Sequence, residues 1–82
     1  MTVLTIYSRP GCHLCDELKA VVATVAAATG SPVTVREIDI SSDPALEEAY
    51  GLEVPVLLMN GRKVAKYRIT AAQLRRLLER PE

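Results

Sequence analysis

A chain of 82 residues is long enough for one compact domain and too short for two, because smaller pieces would bury too little surface to fold alone, so residues 1–82 are read as a single domain. With 49% apolar and 24% charged residues it has the composition of a globular protein and not of a disordered tail. Ten basic side chains balance ten acidic ones, which leaves no overall field to hold nucleic acid or an anionic membrane surface.

The first element expected is a strand over residues 2 to 8, rich in Val, Thr, Ile and Tyr, with the apolar run Val3, Leu4 and Ile6 suited to burial. This opening carries neither a basic region nor a small-residue cleavage site, and it is too short to span a bilayer, so the expected location is the cytoplasm. From Leu14 the apolar residues Leu14, Leu18, Val21, Val22 and Val25 form the stripe of an amphipathic helix, with Gly30 as its stop. The β-branched stretch from Val33 to Ile40 reads as a second strand. Asp43 can then cap a short helix over Ala45 to Tyr50, with Pro44 in its first turn and Gly51 at its end.

Val54 to Met59, Asn60-Gly61, and Lys63 to Tyr67 read as a hairpin, since Asn-Gly favours the positive φ angles of a type I′ turn. Thr70 with Gln73 makes a capping-box signature before a last helix lined by Leu74, Leu77 and Leu78, with Arg75, Arg76 and Arg80 favourably placed in its later turns. The order is βαβαββα, an α/β fold with a four-stranded mixed sheet, three helices on its two faces, and the first two strands parallel through a crossover.

Chemistry concentrates in Cys12-His13-Leu14-Cys15, which holds the only two cysteines. A secreted scaffold of this size would scatter roughly four to eight, and a disulfide across so short a loop removes little entropy from the unfolded chain. Reactivity accounts for the pair better than stapling does. Cys12 falls where a strand turns into a helix, where free N–H groups and the positive helix end favour a thiolate, the nucleophile of disulfide exchange. Cys15, one helical turn on, can reach back to resolve a mixed disulfide and should be the more buried of the two. Arg9, and His13 when protonated, would favour the same ionisation, while Asp16 and Glu17 oppose it; for Arg9 and His13 the plain alternative is a solvated surface charge. Pro55 opens a strand-like run, where a missing N–H does least harm and a cis bond can be accommodated.

Other readings of the cysteine pair stand beside this one. Two helical cysteines can be small apolar core residues. A Cys-X-X-Cys after a first strand also occurs in Cu(I)-binding chaperones, although that fold ends in a strand and has a Met where this chain has Pro10. Structural zinc would need four ligands, and only His13 stands near the thiols. A redox-inert adaptor could instead use the apolar surface around Leu14 and Val54 to dock a partner.

Through Tyr7-Ser8-Arg9-Pro10-Gly11-Cys12-His13-Leu14-Cys15 and the later Val54-Pro55, almost the whole chain resembles the glutaredoxin-like branch of the thioredoxin superfamily. The resemblance implies that Cys12 is the nucleophile and Cys15 the resolving thiol. It also implies that Arg9 takes the place of a lysine, that the Val54 backbone pairs with a bound peptide or thiol, and that a cis Pro55 faces the thiols and keeps a backbone N–H and a metal away from them. Arg9, His13, Leu14, Val54 and Pro55 would form the substrate-binding surface. The chain departs from the family in three places. The motif lacks the Pro-Tyr pair of glutaredoxins, Lys66-Tyr67-Arg68-Ile69-Thr70 replaces the Gly-Gly and acidic pair that helps to hold glutathione, and Ile6 stands where thioredoxins carry a buried acid. The expectation is a monomeric oxidoreductase with no bound cofactor and no metal. It would act on a disulfide-containing protein or a low-molecular-weight thiol and be reduced through glutathione or a flavoenzyme reductase.

Overall fold

A computed structural model describes residues 2–30 and 32–79. Its elements in chain order are β1 (Thr2–Ser8), α1 (His13–Ala28), β2 (Val33–Asp39), α2 (Pro44–Tyr50), β3 (Val56–Met59), β4 (Arg62–Lys66) and α3 (Ala71–Glu79), with a 3-10 turn over Ile40–Ser42 between β2 and α2. The sheet order is β2-β1-β3-β4; β1 and β2 run parallel, and the other neighbours are antiparallel. The expected βαβαββα plan and four-stranded mixed sheet are therefore the observed ones.

Strand alternation decides which side chains face which helices. Leu4 and Ile6 of β1, beside Met59 and Leu57 of β3, point to the side covered by α1 and α3. There they join Leu18, Val22, Val25, Ile69 and Leu74 in one buried cluster. Leu74 is the fully buried residue of α3, so its removal would forfeit about 2–5 kcal/mol of packing. Tyr7 and its partner Val56 face the other side, where the Tyr7 ring meets Tyr50 of α2 with centroids 4.8 Å apart.

Several boundaries differ from those the sequence suggests, each for a local reason. Helix α1 stops at Ala28, with Thr29 in extended backbone as its C-cap, so Gly30 does not serve as a left-handed stop. β2 ends at Asp39, because that carboxylate accepts the Ser41 N–H (2.9 Å) and hydroxyl (2.6 Å) and turns the chain out of the sheet. Asp43 caps α2 through the N–H groups of Ala45 and Leu46, with Pro44 the first helical residue. Gly51 follows α2 with φ −56°. Space is what requires glycine there, since a Cβ would collide with the Glu47 carbonyl oxygen and come within 3.1 Å of the Arg9 guanidinium.

β3 begins at Val56 and not at Val54, since Pro55 has no N–H to give a ladder. Asn60 (φ 53°) and Gly61 (φ 86°) make the expected turn. Tyr67 falls outside β4 at φ 68°. It is held there by its N–H on the Pro55 carbonyl (2.7 Å) and its hydroxyl on the Leu52 carbonyl (3.0 Å). The capping box is reciprocal: the Gln73 N–H donates to Thr70 Oγ1 (3.1 Å) and the Thr70 N–H to Gln73 Oε1 (3.0 Å). Arg80, assigned to the last turn, lies outside the described residues. Among the described residues no helix is long and apolar enough to cross a membrane.

Candidate active site

After β1, Gly11 takes a positive φ of 76°, which turns the chain so that Cys12 enters α1 in extended backbone as its N-cap. The Cys12 sulfur accepts the Cys15 N–H at 3.1 Å. The two cysteines are joined in a disulfide with Cα atoms 5.2 Å apart. Cys15 is 1% exposed, whereas Cys12 is only half-buried, so Cys12 is the more accessible residue of the pair.

The other residues singled out from the sequence surround this disulfide unequally. Tyr7 is paired with Val56, so the segment leaving β1 and the segment entering β3 emerge at the same end of the sheet. Cys12 and the Val54-Pro55 pair therefore share one edge of the molecule. The Val54–Pro55 bond is cis, Pro55 is fully buried and Val54 half-buried. Leu14 is half-buried in the first turn of α1. The His13 side chain is 88% exposed, with Nε2 on Glu17 Oε2 at 3.1 Å. Arg9 does not stand as a free charge beside the thiols: it donates to the Glu47 carboxylate and to the Gly51 carbonyl (2.9 Å), tying the loop before Cys12 to the end of α2.

The sequence reading missed a polar cluster that flanks the start of α1. Ser8 is 3% exposed, and its hydroxyl donates to Glu37 Oε2 at 3.0 Å. Glu37 also meets Lys19 Nζ at 3.0 Å, and Lys19 in turn reaches Asp16 at 3.3 Å. The hydrogen bond from Lys19, and then that from Ser8, hold the Glu37 carboxyl below the usual carboxylate range, while Glu37 and then Asp16 raise Lys19. A cavity of about 260 Å³ opens here, with Ser8, Gly11, Lys19 and Glu37 in its wall. Lys19 falls one helical turn after Cys15, a spacing visible in the sequence. Its partner could be found only once the β1–β2 register had placed Glu37 beside Ile6. Among the described residues no group of three or more His, Cys, Asp or Glu is placed to hold a metal ion.

A family model described as a glutaredoxin-like domain matches residues 3–79. Among solved structures, target protein XcR50 from X. campestris is 39% identical over 93% of this chain and 95% of its own, with a TM-score of 0.76. A mutant thioredoxin from Halobacterium salinarum is 30% identical over 95% of this chain and 72% of its own, at TM-score 0.66. Chloroplastic thioredoxin z superposes at TM-score 0.77 with 19% identity, over 95% of this chain and 75% of that one, a likeness of fold alone.

Proposed function

The chain belongs to the glutaredoxin-like domain family, and from that premise we propose that it is a thiol–disulfide oxidoreductase working by dithiol–disulfide exchange through Cys12 and Cys15. The observation that carries this reading is the asymmetry of the pair: a half-buried Cys12 at the helix N-cap, its sulfur hydrogen-bonded by the Cys15 N–H, beside a Cys15 that is 1% exposed. Once the disulfide is reduced, that N–H and the positive end of α1 stabilise a Cys12 thiolate.

In the forward direction the Cys12 thiolate attacks a substrate disulfide. A Cys12–substrate S–S bond forms, the substrate bond breaks, and one substrate sulfur leaves as a thiolate that takes a proton from solvent. Cys15, losing its proton, then attacks the Cys12 sulfur, closes the internal disulfide and releases the second substrate thiol. Two electrons pass to the substrate, and an external thiol must return them. Glutathione or a flavoenzyme reductase would serve, no bound cofactor is required, and a monomer in the cytoplasm is the proposed working form.

A disulfide-bearing protein suits the surface better than a small thiol alone. Leu52 is 94% exposed and Tyr67 42% exposed, and both border the approach to Val54, whose backbone is proposed to pair with an extended substrate. Leu14, His13 and Pro55 complete this surface, while Arg9 acts on it through Glu47 and Gly51 as a positioning residue.

The deciding experiment equilibrates the protein with glutathione buffers and reads the dithiol–disulfide ratio and the trapped species by mass. A single two-electron transition with an internal disulfide is expected. A value near roughly −270 mV marks a reductase and one well above roughly −200 mV an oxidant. Failure of Cys12 and Cys15 to interconvert between dithiol and disulfide would overturn the proposal.

A further inference from the structure

The overall charge of zero conceals a division along the chain. Of the ten Lys and Arg residues, seven occur from Arg62 onward, against only Glu79 and Glu82, while the first 59 residues hold three basic and eight acidic side chains. The fold gathers part of the basic half around a groove between β4 and α3. This groove, about 390 Å³, is lined by Val64, Ala65, Ile69, Leu77 and the polar Gln73, with the exposed Lys66, Arg68 and Arg76 beside them.

The apolar part of the lining has a specific origin. Leu57 pairs with Ala65 but Leu58 pairs with Lys63, so β4 carries one extra residue at Val64. Strict alternation would send Val64 and Ala65 to opposite faces, yet both pack against the cluster shared with α3. The cations beside the groove are exposed, and none of the three forms a salt bridge among the described residues. Lys66 instead lies over the Tyr67 ring at 5.6 Å. Lysine on an edge strand commonly guards against stray pairing, and β4 is an edge strand. That role does not account for arginines arriving from the β4–α3 loop and from α3 to flank the same open groove.

We infer that this groove is a docking site for an acidic polypeptide segment of a partner protein, with an apolar side chain of the segment seated on Val64, Ala65 and Leu77 and its carboxylates on Lys66, Arg68 and Arg76. Charge complementarity selects the occupant, because three exposed cations outside any salt bridge among the described residues, set beside apolar side chains, favour flanking carboxylates and disfavour basic segments. Binding here does not require the disulfide to react, so its test is separate from that of the exchange chemistry.

The experiment titrates a fluorescently labelled peptide rich in Glu and Asp and carrying two leucines into the oxidised full-length protein at low and at physiological salt. Saturable binding that weakens with salt is expected. A Lys66→Glu/Arg76→Glu variant should bind roughly ten-fold or more weakly, and the milder Lys66→Gln/Arg76→Gln pair should fall between it and the parent. Arg36→Glu, on β2 at the opposite edge of the sheet, should bind as the parent does, and a leucine-free peptide should bind several-fold more weakly. The inference is overturned by equal binding to the reversed-charge variant, by absence of saturable binding, or by equal affinity for the leucine-free peptide. Tighter competition by a single-stranded oligonucleotide would also overturn it. So would concentration-dependent self-association that the charge reversal abolishes, which would make the acidic half of a second copy the occupant.

Discussion

Helices α1 and α3 begin in the same way and with different atoms. Each needs a side chain to satisfy a free N–H of its first turn. At α3 the Thr70 hydroxyl does so, and Gln73 returns the bond. At α1 the acceptor is the Cys12 sulfur, which takes the Cys15 N–H at 3.1 Å. An oxygen cap gains its full hydrogen bond in the only form it has, and stabilises the helix without reacting. A sulfur cap is a weak acceptor as a disulfide and a strong one as a thiolate, so the same N–H and helix end favour the reactive form. One cap holds the fold, and the other, on the proposed exchange chemistry, would hold a nucleophile ready.

The largest expected effect comes from making the two caps chemically alike. Cys12→Ser gives α1 an oxygen cap and should abolish exchange with a model disulfide by more than about 10³-fold, while its thermal midpoint matches that of the reduced parent. A lower midpoint would mean that the sulfur does more for the helix than an oxygen can. Cys15→Ser should stop the cycle halfway and accumulate a Cys12 mixed disulfide, visible as the added mass of the substrate thiol. Thr70→Ala breaks the inert cap. It should cost about 1 kcal/mol, lower the midpoint by about 4–8 °C, and leave the dithiol potential in place.

The smallest effect concerns the cluster on the flank of α1. Because the folded carboxyl of Glu37 is depressed, its stabilisation is present above the unfolded value of about 4.3 and is lost as pH falls through the lower folded value. Lys19, raised by Glu37 and Asp16, contributes below about 10.4 and loses that contribution as pH rises through its folded value. Thermal melts across the acid range should show a shallower decline for Glu37→Gln than for the parent. Identical slopes would place the acid sensitivity elsewhere.

Where sequence and structure agree, the responsible contacts are local. The capping box at Thr70 and Gln73, the Asp43 cap with Pro44 behind it, and the Asn60-Gly61 turn each depend on residues within a few positions of one another, and each is present in the fold. The features that local pattern misses turn on distant partners. Arg9 could not be assigned to Glu47 and Gly51 while α2 was only a span of residues, because the two lie 38 and 42 positions away. The Ser8–Glu37–Lys19 cluster needed the parallel register of β1 and β2. The position of Tyr67 needed the Pro55 and Leu52 carbonyls that hold it.

Apolar periodicity and capping chemistry are properties of neighbouring residues, and by themselves they determined the order of elements, the four-stranded sheet and the position of Cys12 at the start of a helix. Tertiary structure decided which cysteine is buried, what the Arg9 charge is tied to, and that a bulge at Val64 sets apolar side chains in a groove beside Lys66, Arg68 and Arg76. Burial and charge pairing depend on strand register and helix packing, which bring together residues that no local pattern connects.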